Sequence, residues 1–289
     1  VKKNILMVVN PISGDIDKAE LIDTAKLYVE KEGMDLFVYE TTGQNDGVKI
    51  KKAVEKHAPY RVLIAGGDGT IKMVADALQD IDVVMGILPA GSANGLSVDL
   101  NLPSTLEENL AIALHHNYME MDMVAINNMK SLHLSDLGLN AQLVKNYENG
   151  STRGMMGYAL QAITTLSEQE EPFAATIIAN NTTVETVARM IVIANSQKYG
   201  TGVTINPNGK MNDGKFEIVI LKNLDLIVFA KIISGNIPVD SEDVEIISTD
   251  KATITTGFPV SFQIDGEYIG TETKLDIHIL HKQMKVAIP

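Results

Sequence analysis

Gly66-Gly67-Asp68-Gly69-Thr70 sets three glycines, a carboxylate and a hydroxyl between a β-branched apolar run and the start of an amphipathic segment. Glycines in such a turn let backbone N–H groups approach a phosphate, and the N-terminus of a following helix adds partial positive charge. The carboxylate of Asp68 would repel that phosphate unless a divalent cation bridges the two, which points to Mg²⁺. A strand-to-helix turn with Asp68 near the N-cap explains the same residues without a ligand. Two further turns weigh against that simpler account. Asn10-Pro11-Ile12-Ser13-Gly14 and Gly91-Ser92-Ala93-Asn94-Gly95 each offer an amide, a hydroxyl and a glycine where a strand gives way to a helix. Singly each reads as structural; three on one sheet edge read as a nucleotide pocket. There is no P-loop signature and no G-x-G-x-x-G fingerprint, so backbone and metal must supply most of the charge compensation.

Asp265-Gly266-Glu267 puts two carboxylates in three residues directly after an expected strand at 260–264. Phosphoryl transfer to an alcohol requires a group that accepts the hydroxyl proton, and a carboxylate can do so. An Asp-Gly hairpin turn is the alternative, and the residues alone favour it. His57, His115, His116, His133, His278 and His281 show no metal-binding spacing and read as structural or solvated.

The elements that must position these groups come in two textures. Over the first hundred residues, apolar runs at 5–9, 36–39, 62–65 and 83–88 alternate with helical periodicity at 17–32, around Ile50, Val54 and His57, and at 71–78. Strands alternating with helices through short turns predict a parallel sheet covered on both faces, with ligands at the carboxyl ends of its strands. After about residue 118 the expected elements are strands at 175–179, 190–194, 216–221, 244–248, 252–256, 260–264 and 275–280, plus one helix at 153–167. That pattern predicts an antiparallel sandwich. The expected division is a nucleotide-binding domain at 1–117 joined by 283–289, and a β-rich domain at 118–282 that contributes acceptor-side and catalytic residues.

Composition narrows the classes further. With 24 Lys+Arg against 37 Asp+Glu the formal charge is −13, which argues against a nucleic-acid partner. Cysteine is absent, which removes disulfides, thiolate metal sites and thiol nucleophiles, and suits a cytoplasmic protein. The apolar start reaches Asn10-Pro11 too soon for a signal-peptide core, and no apolar run approaches the roughly 18 residues of a spanning helix. Any membrane contact is then peripheral.

Asn10-Pro11-Ile12-Ser13-Gly14, Gly66-Gly67-Asp68-Gly69-Thr70 and Gly86-Ile87-Leu88-Pro89-Ala90-Gly91-Ser92-Ala93-Asn94, in this order and spacing, resemble the diacylglycerol kinase catalytic domain family. That family includes soluble bacterial diacylglycerol kinases, sphingosine kinases and related lipid kinases. The resemblance covers essentially the whole chain, because Asn212-Asp213-Gly214 and Asp265-Gly266-Glu267 also match. Gly-Gly-Asp-Gly alone is shared with NAD kinases and 6-phosphofructokinases; the flanking motifs separate them. The resemblance implies an α/β + β fold, a phosphofructokinase/NAD-kinase-like parallel domain followed by a β-sandwich. It implies ATP as phosphate donor, surrounded by Asn10, Pro11, Ile12, Ser13, Gly14, Thr41, Gly66, Gly67, Asp68, Gly69, Thr70, Ile71, Lys72 and Ser92. Asp68 would act through Mg²⁺ and water, with Asp122 a second acidic position of that network. Lys210, Asp213 and Lys215 would hold a structural Mg²⁺, the lysines through their carbonyls. Glu267 or Asp265 becomes the proton acceptor, Glu267 slightly favoured. One departure stands out: the family often has an acid after the Asn of the third motif, where this chain has Gly95.

By resemblance the activity is ATP-dependent phosphorylation of a lipid hydroxyl, diacylglycerol to phosphatidic acid by default. The alternatives are another acceptor, a sphingoid lipid or NAD, and a catalytically silent nucleotide- or lipid-binding regulator. The implied partner is lipid at a membrane surface, met transiently; a homodimer is compatible with this. Met156, Leu160 and Ile163 on the 153–167 helix form an apolar stripe that suits a core better than a lipid groove. Lys49, Lys51, Lys52, Lys56 and Arg61 form a basic cluster, either a solvated face or a contact for anionic lipid.

Overall fold

A computed structural model describes residues 2–92, 94–138, 141, 172–199, 203–223 and 242–289. The helix expected at 153–167, with Met156, Leu160 and Ile163, lies outside the described residues. The chain divides into two units, Val1–Met121 with Lys282–Pro289, and Asp122–His281.

The first unit is built on four strands, three of them buried on both faces and the fourth a half-buried edge strand. These are β1 (Asn4–Val9), β2 (Asp35–Glu40), β3 (Arg61–Gly66) and β4 (Val84–Pro89), in the parallel order β4-β3-β1-β2. Helices α1 (Lys18–Lys31), α2 (Asp46–His57), α3 (Asp68–Leu78), the short α4 (Gly95–Asp99) and α5 (Leu106–His115) connect them. Ile5, Met7, Val9, Leu63 and Leu88 pack with Leu21, Ala25 and Val29 of α1 and Leu110, Ala113 and Leu114 of α5. On α2 and α3, Ile50, Val54, Ile71 and Val74 are buried. Gly86 has a packing reason, since a Cβ there would lie 2.3 Å from Ala113 Cβ of α5. Helix α5 is an element the sequence reading passed over. Its start is marked by a capping pair, Thr105 Oγ1 accepting from Glu108 N–H at 3.4 Å and meeting the Glu108 carboxylate at 2.5 Å.

The second unit is antiparallel. It contains most of β5 (Tyr118–Ile126), with β6 (Met129–Ser131), β7 (Leu134–Gly138), β8 (Phe173–Ala179), β9 (Thr182–Ala188), β10 (Met190–Ala194), β11 (Phe216–Leu221), β12 (Val244–Thr249) and β13 (Lys251–Ile264). The last strand, β14 (Glu267–Ala287), runs for 21 residues, and its final six belong to the first unit, where Lys285 and Val286 pair in parallel with Val84 and Met85 of β4. Both unit boundaries therefore fall inside strands. The two runs expected at 252–256 and 260–264 are one strand, interrupted by a register shift between Thr255 and Val260. The first half of β13 pairs with β8 and the second with β7. One strand thus serves both layers, with Ile177, Ile193, Phe216, Ile218, Ile254, Phe262 and Leu275 buried between them.

Candidate active site

In the first unit β1, β3 and β4 stop at the same level. Val9 pairs with Ala65, and Gly66 with Pro89. The chain leaves β1 and β4 through hydrogen bonds to β3, Asn10 N–H to the Ala65 carbonyl at 2.9 Å and Ala90 N–H to the Gly66 carbonyl at 3.1 Å. The three turns therefore meet at one edge. Gly67 and Gly91 touch backbone to backbone: a Cβ on Gly91 would lie 2.4 Å from Gly67 Cα. Gly14 needs its left-handed conformation, φ +55, and a Cβ there would lie 2.9 Å from the Ala90 carbonyl. Asn10 Nδ2 donates to Thr70 Oγ1 at 3.1 Å, and Ser13 Oγ donates to the Ala90 carbonyl at 2.9 Å. Asn94 closes the third turn, accepting from Gly91 N–H at 2.7 Å and donating to its carbonyl at 2.9 Å.

Helix α3 begins at this edge with Gly67 as N-cap and no side-chain cap. Thr70 N–H and Ile71 N–H donate to the Gly67 carbonyl, and the partial positive charge of the helix start makes an anion the favoured ligand. The side chain of Lys72, half-buried in the first turns of α3, makes no hydrogen bond or ion pair among the described residues. Ile71 is fully buried and its N–H donates to the Gly67 carbonyl, so it belongs to the core beneath the edge. Pro11, Ile12, Gly69 and Ser92 are exposed there, Ile12 at 89 %. Thr41, half-buried, donates its N–H to the Val9 carbonyl at 2.8 Å and so sits beside Asn10.

Two residues of this edge escaped the sequence reading. Lys18 Nζ reaches the carbonyls of Ser13 at 2.5 Å, Ile16 at 3.0 Å and Ala90 at 3.3 Å, tying the first turn to the third. Burial lowers its pKa, against the pull of Asp15 and Asp17. Asp46, buried at the start of α2, accepts from Tyr39 Oη at 2.6 Å, Thr42 N–H at 2.9 Å, Thr42 Oγ1 at 3.0 Å and Gly43 N–H at 2.7 Å. Burial would raise its pKa, but these donors together outweigh burial and hold it to about 2. Burial first, and then the Asp46 carboxylate, push the Tyr39 phenol up to about 12. The network fixes the loop that follows Thr41. The sequence signal was an Asp at the first position of a helix, just after Thr-Thr-Gly.

Asp68 accepts from Gly95 N–H at 2.7 Å and Leu96 N–H at 3.0 Å, and so caps α4. Gly95 thus meets Asp68 through its backbone. Asp68 is only half-buried, and a carboxylate reached by solvent suits a cation held through water.

In the second unit Asp265 and Gly266, at φ +49 and +86, form the tight turn of the β13–β14 hairpin, with Ile264 paired to Glu267. The Asp265 side chain, 5 % exposed, accepts from Ser131 Oγ at 2.9 Å, Leu132 N–H at 2.9 Å and His133 N–H at 3.0 Å. Gln263 accepts from Gly266 N–H at 2.7 Å and donates to Asp136 at 2.5 Å. Glu267 is exposed at the start of β14 and its carboxylate has no partner among the described residues. The two carboxylates thus differ in task. Asp265 anchors the turn, and the Glu267 carboxylate is open to solvent.

Asp213 is exposed, its Oδ1 accepting from Lys215 N–H at 3.1 Å. One carboxylate with the carbonyls of Lys210 and Lys215 is an all-oxygen donor set that fits a hard cation. Asp122 does not fit as a ligand, being fully buried with one oxygen 2.7 Å from His281 Nδ1 and the other 2.7 Å from Gly214 N. Among the described residues no group of three or more acidic or histidine side chains gathers as a metal cluster. Arg61 is a correction to the expected basic cluster. It is 6 % exposed, donating to the carbonyls of Ala113 at 2.9 Å and His116 at 2.7 Å, while Lys49, Lys51, Lys52 and Lys56 remain exposed on α2. Among the described residues no helix is long and apolar enough to cross a membrane.

The family profile described as diacylglycerol kinase catalytic domain matches residues 4–126, and that described as YegS C-terminal NAD kinase beta sandwich-like domain matches 136–287. A Synechocystis protein named "Uncharacterized protein sll0036" is 28% identical over 98% of this chain and 70% of its own length. The "Probable lipid kinase YegS" of Escherichia coli O127:H6 is 24% identical over 92% of this chain and 90% of its own. A crystal structure titled as a diacylglycerol kinase from Bacillus anthracis str. Sterne superposes with TM-score 0.76 at 19% identity, covering 99% of this chain and 97% of that one. Another structure from that organism reaches 0.79. These likenesses establish the two-part fold.

Proposed function

Since the chain belongs to the diacylglycerol kinase catalytic domain family, with the YegS-type sandwich at its C-terminus, we propose that it phosphorylates diacylglycerol with ATP to give phosphatidic acid. The coarser statement, a lipid kinase and hence a phosphotransferase with an alcohol acceptor, follows from the family itself. The observation that carries the nucleotide half of this reading is the meeting of three glycine turns at the start of α3; diacylglycerol as the acceptor rests on the family alone. The dipole at the start of α3 and Lys72 suit the phosphates of a nucleotide, and Thr41 and the Asn10–Gly14 turn border the same edge. In the reaction the lipid hydroxyl oxygen bonds to the γ-phosphorus, the bond to the β-phosphate oxygen breaks, ADP leaves, and the hydroxyl proton passes to Glu267. Mg²⁺, when bound, would neutralise phosphate charge; Asp68 would hold it through water, and Asp213 with the Lys210 and Lys215 carbonyls would hold a structural ion.

The test is an acceptor screen. Radiolabelled ATP is offered with diacylglycerol in mixed micelles, with sphingosine and with NAD. Label in phosphatidic acid supports the proposal; label only in a sphingoid phosphate or only in NADP overturns the acceptor. The missing acid at Gly95 keeps a silent regulator in view, and Asp68→Ala addresses it. If lipid phosphorylation is unchanged by that substitution at saturating ATP, the proposed edge is not where transfer occurs. Contact with the bilayer is assigned to the exposed lysines of α2.

A further inference from the structure

Asp122 is fully buried and brackets the turn that carries Asp213. Its backbone N–H donates to the Met211 carbonyl at 2.7 Å, and its Oδ2 accepts from Gly214 N–H at 2.7 Å. Asn212 and Asp213 lie between these two anchors. Its other oxygen, Oδ1, is 2.7 Å from Nδ1 of His281, whose side chain is 50 % exposed. An ionised carboxylate only accepts, so Nδ1 carries the proton of this contact. Gly214 occupies the left-handed region at φ +75, and a Cβ there would lie 3.5 Å from His281 Nδ1, so the imidazole also packs against the turn. Asp122 and His281 are the first and last residues of the second unit, contributed by β5 and β14.

A buried carboxylate oriented from one side by a donor offers its second oxygen in a fixed direction. Without that donor the carboxylate rotates or recruits water, and the Gly214 amide loses its partner. We infer that His281 is a positioning residue: by holding Asp122 it fixes the turn from Met211 to Gly214 and thereby sets the affinity of that turn for a divalent cation. The inference rests on the proposed cation-binding role of Lys210, Asp213 and Lys215. Asp122 is in this account the anchor of the site and contributes no ligand atom.

The test uses the full chain, with His281→Ala and His281→Asn, whose amide nitrogen takes the place of Nδ1. Mg²⁺ binding is measured by calorimetry, and amide hydrogen exchange is followed in metal-free protein. His281→Ala weakens Mg²⁺ binding about tenfold, the loss of one hydrogen bond to a charged group, and His281→Asn restores it to within about twofold. In metal-free protein the Gly214 amide exchanges about tenfold faster in His281→Ala and recovers in His281→Asn, while Val219 of β11 is unchanged. Asp213→Asn separates the two layers of the claim. If it binds Mg²⁺ as the wild type does, the cation reading fails, and the inferred effect of His281 on affinity falls with it, while Gly214 exchange still shows whether Asp122 is held by His281. If Asp213→Asn abolishes binding but His281→Ala binds Mg²⁺ like the wild type, the positioning role is overturned. It is equally overturned if His281→Asn is as impaired as His281→Ala, or if Val219 accelerates as much as Gly214.

Discussion

Asp46 holds its charge inside the protein because four donors from Tyr39, Thr42 and Gly43 converge on one carboxylate. Its folded pKa, about 2, lies below the ordinary value of 3.8, so its contribution is present in full above the ordinary value and fades as the pH falls toward 2. The shift corresponds to the order of 2 kcal/mol. Asp46→Asn is therefore expected to lose about that much in urea unfolding at pH 7, with the gap to wild type closing as the pH approaches the folded value. A gap that stays constant down to that pH would mean that packing, not charge, is what the residue supplies. Residues of this kind were hard to read in the sequence. Asp68, Asp265 and Glu267 announced themselves by their glycine neighbours, but the division of labour between Asp265 and Glu267 depends on Ser131, Leu132 and His133, more than a hundred residues away. Lys18 is similar, since a solvated-looking lysine on α1 proves to hold the carbonyls of two turns.

Among the elements, the glycine turns are the most exacting. Gly91 has no room for a methyl group, because the obstacle, Gly67 Cα, is backbone and cannot rotate away. Gly91→Ala is expected to push the two turns apart and raise KM for ATP by about tenfold or more, with a smaller effect on KM for lipid; misplacements near 1 Å are costly in such sites. Equal effects on both substrates in steady-state kinetics would count against the assignment of this edge to the nucleotide. A milder probe is the start of α5: Thr105→Ala removes a cap and should cost about 1 kcal/mol in chemical denaturation, leaving kinetics unchanged. β1, β3 and β4 were legible because each is a run of buried β-branched and aliphatic residues ending at Asn, Gly or Pro, whereas β2 is half-buried and runs into Thr41-Thr42. The sandwich was legible as a texture only. β13 reads as two strands because Gly257 and Pro259 sit where its register shifts, and the alternation of β14 is diluted by its many Thr, Lys and Glu residues.

For the whole molecule, a charge of −13 opposes approach to an anionic bilayer, so the proposed contact would have to be local. Helix α2 exposes Lys51, Lys52 and Lys56, and with the burial of Arg61 the basic surface is smaller than the sequence suggests. Replacing these three lysines with Gln is expected to reduce sedimentation with phosphatidylglycerol liposomes severalfold at low salt, and less at physiological ionic strength, where screening operates beyond about 8 Å. Activity in neutral mixed micelles should not change. Liposome binding that is indifferent to the triple substitution would remove α2 as the contact.

The central claim is that a nucleotide held at the β1, β3 and β4 edge gives its γ-phosphate to a lipid hydroxyl whose proton Glu267 accepts. The most direct test is the rate of phosphatidic acid formation from ATP and diacylglycerol, measured for the wild type and Glu267→Gln alongside ATP affinity by calorimetry. The account predicts product from the wild type, a fall in kcat of about a hundredfold or more in the variant, and equal ATP affinity in both. Phosphatidic acid formed equally fast by Glu267→Gln, or ATP bound by the wild type with no phosphorylated lipid, would contradict it.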